Sequence, residues 1–244
     1  MSLIDVSNHY QSLLAGHYSW MSGGLELNIK LNREFFQKHD LVASNNRLAV
    51  DLGAGCGFQS IPLAQAGYTV TAIDINEELL QELRINAEGL EIATVKDDLL
   101  NFQQYCSKPV ALVVCMGDTL THIDGTDKIE KLFRSVYQSL EPGGRFVLTF
   151  RDMTAELKGT DRFIPVRSDE NRIFMCFLEY DTAEVIVHDI VYEREGTFWK
   201  LKKSSYRKAR LGSQWVKDAL EKGGLGIEYS QIYQGLVTII AYKK

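Results

Sequence analysis

Eight residues, Val50-Asp51-Leu52-Gly53-Ala54-Gly55-Cys56-Gly57, constrain this chain more than any others. A β-branched, apolar run ends in three alternating glycines, and a helical pattern follows. That grammar brings backbone amides close to a ligand and turns the chain into a helix N-terminus. A dinucleotide fingerprint would place its third glycine at position 58, which is Phe58. Here the third glycine is Gly57, and Asp51 stands two residues before the first. Pyrophosphate prefers bare amides and a helix dipole. An acid in the loop suits a ligand carrying ammonium and sulfonium groups.

Short strand patterns alternate with helical ones around this loop. Leu48 to Leu52, Thr69 to Ile73, Ile92 to Lys96, Val110 to Cys115 and Arg145 to Phe150 read as strands. Phe58 to Ala66, a helix capped by Asn76 and running to about Glu88, and Asp127 to Leu140 read as the helices between them. Leu25 to His39 is a further helix ahead of them. The alternation predicts a doubly wound α/β sheet, mainly parallel and covered on both faces.

After Phe150 four strand patterns follow with no intervening helix: Phe163 to Arg167, Arg172 to Tyr180, Glu184 to Arg194 and Thr197 to Lys208. They are expected to pair antiparallel. A helix over Ser213 to Lys222 and a hairpin, Ile227 to Tyr233 and Leu236 to Tyr242, close the chain. The expected organisation is one domain over 1–244, with an N-terminal helical cap over 1–40 and a β-rich insertion over 151–210.

At this point the chain resembles the class I S-adenosylmethionine-dependent methyltransferases, whose first motif is an acid, an apolar residue and GxGxG, here Asp51 to Gly57. The layout is similar to that of glycine N-methyltransferase-like enzymes. The resemblance implies a seven-stranded Rossmann-like sheet of order 3-2-1-4-5-7-6, strand 7 antiparallel. It also implies S-adenosylmethionine as cofactor and S-adenosylhomocysteine as product. The cofactor residues it implies are Asp51, Gly53, Ala54, Gly55 and Gly57 in the loop, and Asp74 with Ile75 after strand two. Asp98, with Asp97 as the fallback, and Leu99 would lie by the adenine. Cys115, Met116 and Gly117 follow strand four. Tyr18 and Trp20, in His17-Tyr18-Ser19-Trp20, would close over the methionine end, where aromatic faces favour a sulfonium. Packing as ordinary core aromatics is an equal reading of both.

Methyl transfer from a sulfonium needs positioning first, and a base only where the acceptor must lose a proton. His122, His17 and Asp118 are the catalytic candidates; Tyr18, His122 and Arg151 are the candidates for holding the acceptor. Asp118 has the alternative of capping the following turn, and His122 that of a structural, hydrogen-bonded histidine. The run Lys200 to Arg210 is basic, but alternation of Lys200, Lys202 and Ser204 reads as a solvated strand face rather than an RNA grip.

Four cysteines without CxxC spacing or a Cys/His cluster indicate no metal site and a reduced, cytoplasmic chain. Met1 to Leu14 lacks the signal-peptide pattern, and no apolar run reaches the roughly 20 residues of a membrane span. A formal charge of −5 argues against nucleic acid as partner. The expected activity is methyl transfer to a small-molecule acceptor. A tRNA or protein methyltransferase and a non-catalytic S-adenosylmethionine-binding protein are the alternatives; Phe58 and the terminal antiparallel strand disfavour an NAD-dependent oxidoreductase. The acceptor, the methylated element and the oligomeric state, a homodimer among the options, are left open by the sequence.

Overall fold

The computed structural model describes residues 6–43 and 45–244. The signal-peptide reading of Met1 to Leu14 and the start of the 1–40 cap fall partly outside these residues. The chain opens with Val6–His9 (α1), a π-helical stretch Tyr10–Leu14, then Ala15–Met21 (α2) and Leu25–Lys38 (α3). The α/β wind follows: Leu48–Leu52 (β1), Ser60–Gln65 (α4), Thr69–Asp74 (β2), Glu77–Asn86 (α5) and Ile92–Lys96 (β3). Val110–Cys115 (β4), Thr126–Ser139 (α6) and Leu140–Arg151 (β5) complete it. Then come Phe163–Ser168 (β6), Arg172–Tyr180 (β7), Glu184–Glu195 (β8) and Phe198–Ala209 (β9). Ser213–Lys222 (α7), Leu225–Tyr233 (β10) and Leu236–Lys243 (β11) end the chain.

The main sheet has the order β3-β2-β1-β4-β5-β11-β10. β11 runs antiparallel to both β5 and β10, so the expected seven-strand order is observed, with the insertion strands numbered between. β4 lies at the centre, and its almost wholly apolar sequence reflects burial on both faces. One apolar layer packs Phe133, Phe146 and Phe150 under α6 and α7. The other packs Phe36, Ile61 and Leu83 under α3, α4 and α5. The Asn76 side chain caps α5 by accepting from the Leu79 amide at 2.9 Å, as its place before two glutamates predicts.

Two boundaries differ from the sequence reading. α4 starts at Ser60 rather than Phe58, because Gly57 is still in a left-handed turn at φ +97°. β5 starts at Leu140 rather than Arg145 and runs through Glu141-Pro142-Gly143-Gly144. Leu140 already pairs with Val110, and a register shift between Val110 and Leu112 absorbs the turn. A short 3-10 helix over Leu99–Tyr105, not read from the sequence, is capped by the Asp98 side chain.

The second sheet is antiparallel, in the order β6-β7-β8-β9. One face turns toward the N-terminal segment, where Leu13 and Leu14 meet Phe174 and Val191. This sheet and the N-terminal segment therefore stand together over the carboxyl ends of β1 and β4. Among the described residues no helix is long and apolar enough to cross a membrane.

Candidate active site

A cleft of about 260 Å³ opens at the carboxyl ends of β1, β2 and β4. Gly53, Gly55, Asp74 and Ile75 form one wall, Asp98 and Leu99 a second, and Tyr10, Tyr18, Thr119 and His122 the side nearest the insertion. The three loop glycines do different work. Gly53 and Gly55, at φ +75° and +52°, present backbone to the cleft. A methyl group on Gly53 would meet the Thr119 side chain at 2.4 Å. Gly57 does not line the cleft; a Cβ there would sit 2.3 Å from Leu83 Cδ1 and 3.2 Å from Ile61. Its role is close packing of the loop on α4 and α5. Gly57→Ala is therefore expected to destabilise the fold by about 2–3 kcal/mol, from left-handed backbone plus overpacking. Urea denaturation measures this; an unchanged midpoint would contradict the packing role.

Asp74 ties the loop to β2. Its Oδ2 accepts from the Gly55 amide at 2.8 Å and its Oδ1 from the Asn76 amide at 2.8 Å. A carboxylate has about four acceptor positions, so these two bonds leave it acceptor capacity for a ligand. Burial raises its pKa, against the lowering effect of the amides. Asp51 is more deeply enclosed. Ser60 Oγ donates to its Oδ2 at 2.6 Å, while Oδ1 is buried without a partner. Burial pushes its pKa up to about 7, only partly offset by the Ser60 hydroxyl. Asp51 does not line the cleft; Asp74 does, and a carboxylate costly to ionise beside exposed backbone favours a cationic ligand over a phosphate.

Asp97 and Asp98 both line the cleft and differ in how far their carboxylates are engaged. Asp97 is taken up by Asn101, Gln104 and Tyr105 and by the Asp98 amide. Those bonds, the Asn101 amide first, lower its pKa. Asp98 makes one capping bond, to the Leu100 amide at 2.9 Å, and keeps acceptor capacity. Cys115 and Met116 bury their side chains in the two core layers. Burial also raises the Cys115 thiol's pKa. Ala54 is likewise a core residue, and the Gly117 amide donates to Thr149 Oγ1 at 2.9 Å. At these four positions only backbone is left to face a ligand.

Tyr18 lines the cleft, stacked on Phe58 at 5.6 Å between ring centroids. Trp20 does not line it; it lies under Arg172, whose guanidinium is 4.2 Å from the ring. Residues two apart on a helix point about 200° apart, so α2 cannot aim both at one ligand. His17 also turns to the insertion, with Nε2 3.2 Å from a Glu193 carboxylate oxygen. Burial lowers its pKa despite that neighbour.

His122 reaches the cleft. Its ring stacks on Tyr206 at 5.4 Å, and its buried Nδ1 has no partner. Burial, then the Lys208 charge, pushes its pKa down to about 3, so the ring is neutral at physiological pH. Asp118 is fully engaged. It adopts φ +74°, accepts from the Arg151 amide at 2.8 Å and from Thr121 Oγ1 at 3.2 Å, and pairs with the buried Lys208 ammonium. The Arg151 side chain does not line the cleft.

The sequence reading missed a buried polar group behind His122. His9 Nε2 lies 2.9 Å from Asp189 Oδ2, Cys176 Sγ lies 3.1 Å from Asp189 Oδ1, and Tyr206 stacks on His9 at 4.3 Å. The basic run was misread at its far end, while the Lys200 and Lys202 side chains stay exposed. Tyr206 and Lys208 share its inward face and are buried, while Lys202 pairs with Glu193, Arg207 with Glu184 and Arg210 with Glu156. The alternation was legible; which face it turned inward was not. Among the described residues no cluster of His, Cys, Asp and Glu could hold a metal ion.

Comparison with known proteins agrees with this geometry. Residues 49–144 match the methyltransferase domain family. A glycine/sarcosine N-methyltransferase of Aphanothece halophytica is 28% identical over 121 residues, 49% of this chain and 45% of that protein. The chain spans about half the length of the curated relatives it matches. An S-adenosylmethionine-dependent methyltransferase of Clostridium acetobutylicum superposes with a TM-score of 0.71 at 17% identity, covering 97% of this chain and 96% of the other. CalS10, an amino pentose methyltransferase of Micromonospora echinaspora, does so with a TM-score of 0.71 at 12% identity, covering 100% of both chains. Residues 49–144 thus match a methyltransferase domain, and the chain has the fold of solved S-adenosylmethionine-dependent methyltransferases.

Proposed function

We propose that this protein transfers a methyl group from S-adenosylmethionine to a small-molecule acceptor held between the N-terminal segment and the inner face of the second sheet. The cleft itself carries the reading: a glycine wall, carboxylates and an aromatic ring on one side, and on the other His122 stacked on Tyr206, which is where the acceptor chamber is proposed. Asp74 would take the ribose hydroxyls, Asp98 and Leu99 the adenine end, and Tyr18 the sulfonium end. The cofactor supplies an activated methyl. The chain's part is to exclude water and hold the acceptor in line with it. Neutral His122, with a free Nδ1 at the chamber's edge, offers the acceptor a hydrogen bond without adding positive charge beside the sulfonium. Its depressed pKa makes it a weak base, so orientation is its better role.

The small-molecule reading is supported by the basic run, in which Lys202, Arg207, Lys208 and Arg210, though not Lys203, have carboxylate partners among the described residues. A nucleic-acid substrate would need them free. The names of the Aphanothece and Micromonospora enzymes, glycine/sarcosine N-methyltransferase and amino pentose methyltransferase, point the same way. Calorimetry with S-adenosylmethionine, S-adenosylhomocysteine and NAD, followed by a labelled-methyl screen of small amines, acids and thiols, tests the reading. Selective adenosyl binding with methyl transfer is the expected result; preference for NAD would overturn it.

The raised pKa of Asp51 adds a pH test. A bound cation favours the ionised carboxylate, so the complex has the lower pKa and binding releases a proton. Affinity is therefore expected to rise as pH increases up to about 7 and to level off above it. Asp51→Asn should flatten that profile, and binding heats independent of buffer ionisation enthalpy would contradict it.

A further inference from the structure

The outer face of the second sheet is apolar where a solvated sheet would be polar. β7 reads Arg172-Ile173-Phe174-Met175-Cys176-Phe177-Leu178, apolar on both faces once the strand begins. Phe174 and Leu178 are the buried, inward positions. Ile173, Met175 and Phe177 therefore point outward. Register carries the pattern across the sheet: Phe163 lies beside Phe177, Ile190 beside Met175, and Ile173 pairs with Tyr192, which pairs with Leu201. Ile173, Leu201 and Phe163 are 39%, 46% and 48% exposed. Near-continuous apolar strands belong to sheets covered on both sides, and an apolar patch of this extent marks an interaction surface.

We propose that this face is covered by the same face of a second copy of the chain, in a symmetric dimer. Size and charge both favour that occupant. Strand spacings of about 4.8 Å and rises of about 3.4 Å per residue make the face roughly 20 by 30 Å. Its flat area of about 600 Å² grows with side-chain relief, which reaches the roughly 600–1,000 Å² per partner of a specific interface. The face carries both signs of charge: Glu184 pairs with Arg207 and Glu179 lies 2.6 Å from His188, while Lys203, opposite Ile190, and Arg162, over the Phe177 ring, have no carboxylate partner among the described residues. A face of mixed sign can meet its own copy in complementary register. The inner face of the same sheet carries Asp189, Tyr206 and Lys208 behind His122, so the partner copy would brace the roof of the acceptor chamber. The inference holds whatever the acceptor is.

Sedimentation equilibrium of the wild type at micromolar concentration is expected to give twice 27.6 kDa. Ile173→Asp/Leu201→Asp should weaken association about 100-fold or more, since a two-fold axis places each charge in the interface twice. It should run at 27.6 kDa with wild-type circular dichroism. Leu201→Lys, at an exposed position, serves where the double variant fails to fold. A wild type at 27.6 kDa, including one that floats with phosphatidylserine vesicles, overturns the proposal. So does a folded variant that remains dimeric.

Discussion

Replacing Asp74 with alanine is expected to abolish measurable binding of S-adenosylmethionine and S-adenosylhomocysteine while the chain stays folded. Its carboxylate accepts from the Gly55 and Asn76 amides and has acceptor capacity left for the ligand. Hydrogen bonds to a charged group are worth about 1.5–3 kcal/mol each, so losing two ribose contacts costs about 3–6 kcal/mol, a factor above roughly 100 in Kd. Loss of the Gly55 tether adds disorder in the loop to the same deficit. Titration calorimetry of wild type and Asp74→Ala measures it. Asp74→Asn separates the contributions, because one amide oxygen can still accept from the loop while its NH₂ cannot. A change below tenfold in the alanine variant would show that the adenosyl group does not lie against β2.

The largest stability effect is expected at Lys208. Its ammonium and the Asp118 carboxylate are both nearly buried, and their contact joins β9 to the turn after β4. Lys208→Met leaves that carboxylate enclosed without a counter-charge, which costs about 3–5 kcal/mol. In a chain of this length that lowers Tm by roughly 6–20 °C. Lys208→Met/Asp118→Asn should recover most of the loss, since asparagine tolerates the left-handed backbone and still accepts from the Arg151 amide. The sign with pH follows from Asp118. Burial alone would raise its pKa, but Lys208 and the Arg151 amide outweigh it and hold the group below the usual carboxylate range. The stabilisation is therefore present above the unfolded value of about 4 and is lost as pH falls through the lower folded value. Thermal melts of the three variants between neutral and acid pH check both statements. A single variant as stable as the wild type would mean that Asp118 finds water when Lys208 is gone.

His122 shows where sequence logic placed a residue at the cleft without foreseeing its burial. Its place after β4 identified a cleft residue, and the structure puts it there. Its near-neutral titration was the reason for considering it as a base, yet burial beside Lys208 removes that property. Nothing local announces the burial, because Lys208 is 86 residues further along the chain. The pair Tyr18 and Trp20 makes the opposite point. The helical period alone separates their directions, but only the insertion's Arg172 shows where the second ring goes.

The sequence by itself determined what local geometry controls. Alternating strand and helix periods read as a doubly wound, mainly parallel sheet, whose seven-strand order came from the family resemblance, and the glycine loop ends β1 at the cleft. Asn76 caps α5, and Asp74 comes at the end of β2, facing the cleft. Each follows from backbone preference or side-chain spacing within a few residues. The tertiary structure alone decided which glycine packs and which faces the ligand, because that depends on Leu83 and Thr119. It also decided which face of β9 is buried, and it assembled His9, Asp189, Tyr206 and His122 from four distant segments. Those residues have no local signature, since each is an ordinary strand or helix residue until the second sheet folds over the first and takes water away from them.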